Sequence, residues 1–205
     1  MVRRMSRHLA ARVAALVVPA VLLTVPAAHA EKVVTEDAVG DVVSYAELPD
    51  GSSQLLPAPD QAGVDILRTA VDHGNRRLRI TVRFRALERE PFHFTVVRVV
   101  TPKGNFDLAV ERLGGKPIAS LEKGRASVDC RGLKAKVDLG SDTVTASVAT
   151  SCLGAPRWVQ VGVGAVAVAE DPSSPEMMGA FADDGHRDGT IRESTIKKGP
   201  RIHRG

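Results

Sequence analysis

Arg77-Leu78-Arg79-Ile80-Thr81-Val82-Arg83-Phe84-Arg85 alternates without a break, with Leu78, Ile80, Val82 and Phe84 on one side and arginine or threonine on the other. A period of two sends successive side chains to opposite faces of a strand, so the stretch predicts a half-buried strand with one face in a core and one in water. His73-Gly74-Asn75 just before it is a turn signal, and residues 64–71 supply a hairpin partner. With Gly74-Asn75 as a two-residue turn, Asp65 falls on the same face as Leu67, Val71 and the four apolar residues of the alternating strand. Working outward, short apolar runs recur at residues 92–100, 106–110, 118–121, 126–130, 134–139, 143–149 and 158–169, with Gly, Pro, Asn or Ser-Asp in every gap. Many short strands, frequent turns and no sustained helical period predict a single all-β domain, an antiparallel β-sandwich over residues 31–170.

The two ends of the chain read differently from the middle. Arg3, Arg4, Arg7 and Arg12 precede an apolar run at residues 13–26, and Ala28-His29-Ala30 places small residues where a signal peptidase reads. The apolar run is about 14 residues where a membrane span needs roughly 20. Residues 1–30 are therefore expected to be a cleavable signal peptide, with secretion, a mature start at Glu31 and no membrane span after cleavage. Residues 40–63, rich in Pro, Ser, Asp and Gly, are expected to be a long surface loop. Residues 171–205 are expected to be a polar, basic-ended tail.

Export also changes the charge. The whole chain is +4, 28 basic against 24 acidic residues, and removing the four arginines of the first thirty residues leaves 24 against 24. A neutral mature chain with 1 Trp, 1 Tyr and 5 Phe has neither the positive field nor the stacking surface that nucleic acid demands. Residues 31–65 carry eight acids and one base, and residues 68–98 carry eight bases and three acids, so the two segments are expected to neutralise each other. Arg77, Arg79, Arg83 and Arg85 read as a solvated or salt-bridged face that also discourages edge pairing.

Two cysteines in an exported chain predict one bridge, Cys130 to Cys152, closing about 22 residues as a structural staple. There is no GxSxG, HExxH or phosphate-binding loop. The letters GxGxxA at Gly162-Val163-Gly164-Ala165-Val166-Ala167 lie in a β-patterned run, where glycine more naturally permits close packing than nucleotide binding. His73, His93, His186 and His203 are scattered and read as structural or surface residues.

The acidic residues carry the best chemical candidate. Asp37-Ala38-Val39-Gly40-Asp41 sets two carboxylates around a glycine, and Asp65 opens the first core strand at the rim of an apolar face, where a charge needs a partner. Hard oxygen ligands grouped in this way suit Ca²⁺. The competing reading makes Asp37, Asp41 and Asp65 turn caps or partners of arginines. Asp183-Asp184-Gly185 and Asp188-Gly189 form a second acidic turn without the spacing of a known calcium loop. For a ligand, Tyr45 in the polar loop is the exposed candidate. Trp158, at the start of an apolar run, reads first as core near the bridge and second as a stacking platform.

Asp37-Ala38-Val39-Gly40-Asp41, followed by Asp65-Ile66 and the basic alternating hairpin, resembles the opening of secreted carbohydrate-binding β-sandwiches of the family 9-like, glucodextranase C-terminal and DOMON-like type. The resemblance covers residues 33–85 and implies a sandwich that is calcium-stabilised in several branches and binds sugars or haem in others. It departs at Val42, where a further acid often stands. Ser151-Cys152-Leu153-Gly154-Ala155-Pro156-Arg157-Trp158-Val159 resembles a feature of exported proteins of high-GC Gram-positive bacteria. The expected function is a secreted, non-catalytic binding or accessory module of the cell envelope, its partner an envelope polysaccharide or another secreted protein. Two other classes stay open: a carboxylate-dependent extracellular hydrolase using Asp65 with Asp41, and a structural envelope protein without a small ligand.

Overall fold

The structure, a computed structural model, describes residues 31–47, 50, 53–89, 91–171, 174–192 and 195–205. The signal-peptide segment, residues 1–30, lies outside the described residues. Among the described residues fourteen strands run in chain order: β1 Glu31–Glu36, β2 Val43–Glu47, β3 Ser53–Pro57, β4 Ile66–His73, β5 Arg77–Phe84, β6 Phe92–Thr101, β7 Gly104–Arg112, β8 Ile118–Lys123, β9 Ala126–Ser127, β10 Lys134–Asp138, β11 Thr143–Ala149, β12 Trp158–Asp171, β13 Ser174–Asp184 and β14 Arg201–His203. Among the described residues the one helical element is a 3-10 turn, Thr150–Leu153. None of their helices is long and apolar enough to cross a membrane.

The strands form two antiparallel sheets, β1-β4-β5-β11-β10 and β3-β2-β13-β12-β6-β7-β8-β9, with β14 laid against the first residues of β12. Alternation decides which face each sheet buries. Leu78, Ile80, Val82 and Phe84 of β5 are all within 1% of full burial while Arg79 and Arg83 are exposed, as a period of two dictates. They meet Val97 and Val99 of β6, Leu108 of β7 and Val159, Val161 and Val163 of β12 in one core. With so few aromatics, Phe84, Phe106 and Phe181 are the large rings in it, and aliphatic side chains fill the rest. Cys130 and Cys152 are bridged with Cα atoms 5.8 Å apart, tying the connection between β9 and β10 to the turn after β11.

The structure departs from the sequence reading at five places. Residues 40–63 are not one loop: β2 and β3 form a hairpin at the margin of the second sheet, where Pro57 is tolerated because a margin strand has an unused hydrogen-bonding side. Residues 171–205 are not a separate tail: β13 is an inner strand between β2 and β12, and Ile202 of β14 is 2% exposed. The run at 126–130 is strand only at Ala126–Ser127. The β4–β5 connection is residues 74–76, three residues, with His73 paired to Leu78, and an irregularity between Ile66 and Arg68 puts Ile66 rather than Leu67 on the buried face. Trp158 is half-buried, not core, with the Arg201 guanidinium 4.4 Å above its ring.

Candidate functional site

Two acidic turns that are distant in sequence close on one point between the sheets. The stretch after β1 carries Asp37 and Asp41, the approach to β4 carries Asp65, and the end of β13 with the turn beyond it carries Asp183, Asp184 and Asp188. Backbone amides hold them there. Gly40 N–H donates to Asp65 Oδ2 at 2.8 Å, Ile66 N–H to Asp183 Oδ2 at 2.7 Å and Gly189 N–H to Asp41 Oδ2 at 3.0 Å. The Ala38 N–H serves Asp37 in the same way. Gly40 sits at φ +75°, a conformation that glycine adopts without steric cost, which lets its amide turn inward toward Asp65.

The remaining oxygens are the informative ones. Asp37 Oδ2, Asp41 Oδ1, Asp65 Oδ1 and Asp183 Oδ1 are all buried and accept no hydrogen bond. Asp65 is fully buried and Asp183 is 3% exposed. Ligand atoms of Asp41, Asp65 and Asp183 lie within 4.8 Å of one another, as do those of Asp37, Asp41 and Asp188. The structure thus brings Asp37, Asp41 and Asp65 to one cluster, but as members of two overlapping triads that also need Asp183 and Asp188. The cation nearest the inner triad is Arg85, whose Nε lies 3.0 Å from Asp65 Oδ2. Asp184 adjoins the cluster, its charge raising Asp37 and Asp41, but its Oδ2 is engaged by Arg187 at 2.7 Å and by the Lys197 N–H while its buried Oδ1 accepts no hydrogen bond.

Burial without enough positive charge shows in the acid–base behaviour. Asp183 is pushed up to about 8, first by burial and then by the charges of Asp41, Asp37 and Asp65, against the opposing Ile66 amide. Asp37 is pushed up to about 7 by burial and by Asp41. Asp41 is raised, again chiefly by burial, and so is Asp65 in spite of Gly40 and Arg85. Four carboxylates that all resist ionisation while gathered on one point form an array of hard donors suited to a cation with many oxygen ligands.

The aromatic candidates do not join this cluster or each other. Tyr45 on β2 is 36% exposed and pairs with Ala180, itself opposite Val168 of β12, ten residues along that strand from Trp158. At ~3.3 Å per residue the two rings sit roughly 33 Å apart along the sheet. Tyr45 is not among the clustered ligands, yet it borders a groove of about 220 Å³ with Val96, Arg98, Val166 and Ile196 that Asp183 of the inner triad and Asp184 also line. Of the four arginines of the alternating stretch, Arg77 bonds Ser147 and the Gly132 carbonyl and Arg85 meets Asp65, while Arg79 and Arg83 face outward; Arg68 of the adjacent strand pairs with Glu36.

Sequence reasoning missed the roles of Asp183 and Asp188. The signal was the second acidic turn, Asp183-Asp184-Gly185 and Asp188-Gly189, whose juxtaposition with the first depends on a contact spanning 117 residues, from Asp183 to Ile66. Comparison of the chain with family models, curated proteins and solved structures gives no match in any of the three.

Proposed function

We propose that this is an exported, non-catalytic β-sandwich module of the cell envelope, stabilised by calcium and binding an envelope polysaccharide or another secreted protein. The observation that carries the reading is the set of carboxylates of Asp37, Asp41, Asp65 and Asp183, each steered by a backbone amide while a buried oxygen stands without a hydrogen bond. Leaving such oxygens unpartnered costs free energy, and an oxygen-seeking divalent cation removes that cost while joining the two sheets. A hydrolytic role fits less well, because Asp65 is fully buried and Asp183 nearly so, whereas a glycosidase acid and base must both reach the scissile bond. Export is supported by the character of residues 1–30 and by the bridged cysteines. For the ligand, the groove beside Tyr45 offers an aromatic ring next to the Asp183 and Asp184 carboxylates, groups that suit a saccharide, while Arg98 in the same groove is already paired with Asp107.

Thermal melting tests the calcium reading. A ligand of the folded state at 100 times its dissociation constant adds about 2.7 kcal/mol, which for a domain of this size raises Tm by roughly 5–11 °C. Calcium should produce that rise, EGTA should reverse it, and Asp65→Asn should remove most of it. Superimposable melts with calcium and with EGTA would overturn the reading.

A further inference from the structure

The two carboxylate triads differ in exposure and share one member. Asp41, Asp65 and Asp183 form an inner triad with two members buried beyond nine-tenths, while Asp37, Asp41 and Asp188 form an outer one whose last member is exposed. Asp41 belongs to both. A carboxylate offers about four lone-pair positions, so Asp41 can hold the Gly189 amide on Oδ2 and still present oxygens toward two neighbours.

We infer that the cluster is a two-ion centre, with an inner divalent cation between Asp41, Asp65 and Asp183, an outer one between Asp37, Asp41 and Asp188, and the Asp41 carboxylate shared. This rests on the calcium reading above and extends it from one ion to two. Charge supports the count. Asp37, Asp41, Asp65, Asp183 and Asp188 bring five negative charges and Arg85 brings one positive, a net of −4, while Asp184 is matched by Arg187. With all five ionised, as bound cations require, one divalent ion leaves two charges uncompensated, one of which exposed Asp188 can carry in solvent, and two ions leave none. Unpartnered buried oxygens occur on members of both triads: Asp65 and Asp183 in the inner one, Asp37 in the outer one and Asp41 in both. Neither triad contains His or Cys, so the donors are hard oxygens throughout, and calcium, which accepts six to eight of them in flexible geometry, fits better than magnesium or zinc. Backbone carbonyls and water complete the shell, more water at the exposed outer ion.

The test is stoichiometry. Full-length protein, stripped with EGTA and dialysed against calcium at 150 mM salt, is assayed for bound calcium by atomic emission and titrated by calorimetry, alongside Asp188→Asn and Asp183→Asn. Two calcium ions per chain are expected for the parent, falling to one in Asp188→Asn, whose exposed position leaves folding undisturbed. Asp183→Asn is expected to lose the inner ion; should it not fold, the parent and Asp188→Asn decide alone. A single ion in the parent, unaffected by Asp188→Asn, overturns the two-ion centre and leaves the calcium reading standing. No bound calcium overturns both. Two ions retained in Asp188→Asn overturn the outer ligand set.

Discussion

His93 and the clustered aspartates oppose each other as pH changes. His93 is enclosed, with Phe84 edge-on at 5.2 Å, and burial together with Arg112 lowers it to about 4. His73 and His186 are also lowered by burial. Unfolded histidine takes up a proton near 6.5 and these folded rings do not, so below that pH the unfolded state binds more protons and stability falls with acidification. For Asp183 and Asp37 the sign reverses. Their folded values of about 8 and about 7 lie above the ordinary 3.8, so between these limits the folded state binds more protons and acidification stabilises. Metal-free protein should therefore gain roughly 3 °C in Tm from pH 8.5 to 6.5, the shift expected for about 1 kcal/mol in a domain of this size. Below pH 6.5 the histidines begin to oppose the aspartates and the gain per pH unit should shrink. With saturating calcium the gain should vanish, because the ion requires the ionised carboxylates. Differential scanning fluorimetry across that range reads the outcome directly, and a flat metal-free curve would show that these acids ionise freely in the fold.

Among the elements, β12 accommodates the segment that follows the acidic turn. A Cβ on Gly162 would lie 2.5 Å from the Lys197 carbonyl oxygen and 2.9 Å from Ile196 Cγ2, so residues 196–197 cross the sheet at a distance only glycine permits. Gly162→Ala should cost about 1–3 kcal/mol by overpacking and speed tryptic cleavage at Lys197 and Lys198. Gly115→Ala, whose nearest neighbour is 3.8 Å away, should change neither. How much of each element was legible follows from where its information resides. β5, β6, β7, β11 and β12 declare themselves by alternation of large apolar residues. β13 does not, because Phe181 is its one large side chain within 2% of full burial and its neighbours Gly179, Ala180 and Ala182 are small. β14 is three residues long and is defined only by its pairing with Trp158–Gln160. The first acidic turn could be read as a ligand set because its acids are close in sequence. Its completion by Asp183 and Asp188 could not, since that depends on sheet order.

At the scale of the molecule the bridge and the acidic cluster occupy opposite ends of β5. Thr150, next to the bridged turn, bonds the Arg76 carbonyl, whereas Arg85 at the other end bonds the Asp65 carbonyl, eight residues or roughly 26 Å away from Arg77. The Cys130→Ser, Cys152→Ser double variant should lose about 3 kcal/mol, and with it ~6–12 °C in Tm. Its calcium-induced rise in Tm should match that of the parent. Loss of the calcium response in this variant would show that the two ends are coupled through the sheet.

Glu31 and Gly205 lie side by side: Gly205 N–H bonds the His73 carbonyl at 3.2 Å, His73 is the register partner of Glu31, and the His203 amide bonds the Glu31 carboxylate. The residues next to Glu31 and next to Gly205 therefore meet at one corner beside His73, near the Trp158 end of β12. The Tyr45 groove lies farther along that strand, at Gly164, Ala165 and Val166. A tether attached beside Glu31 or beside Gly205 would thus leave from the same corner, away from the groove, so presentation of the groove does not depend on which of the two carries it.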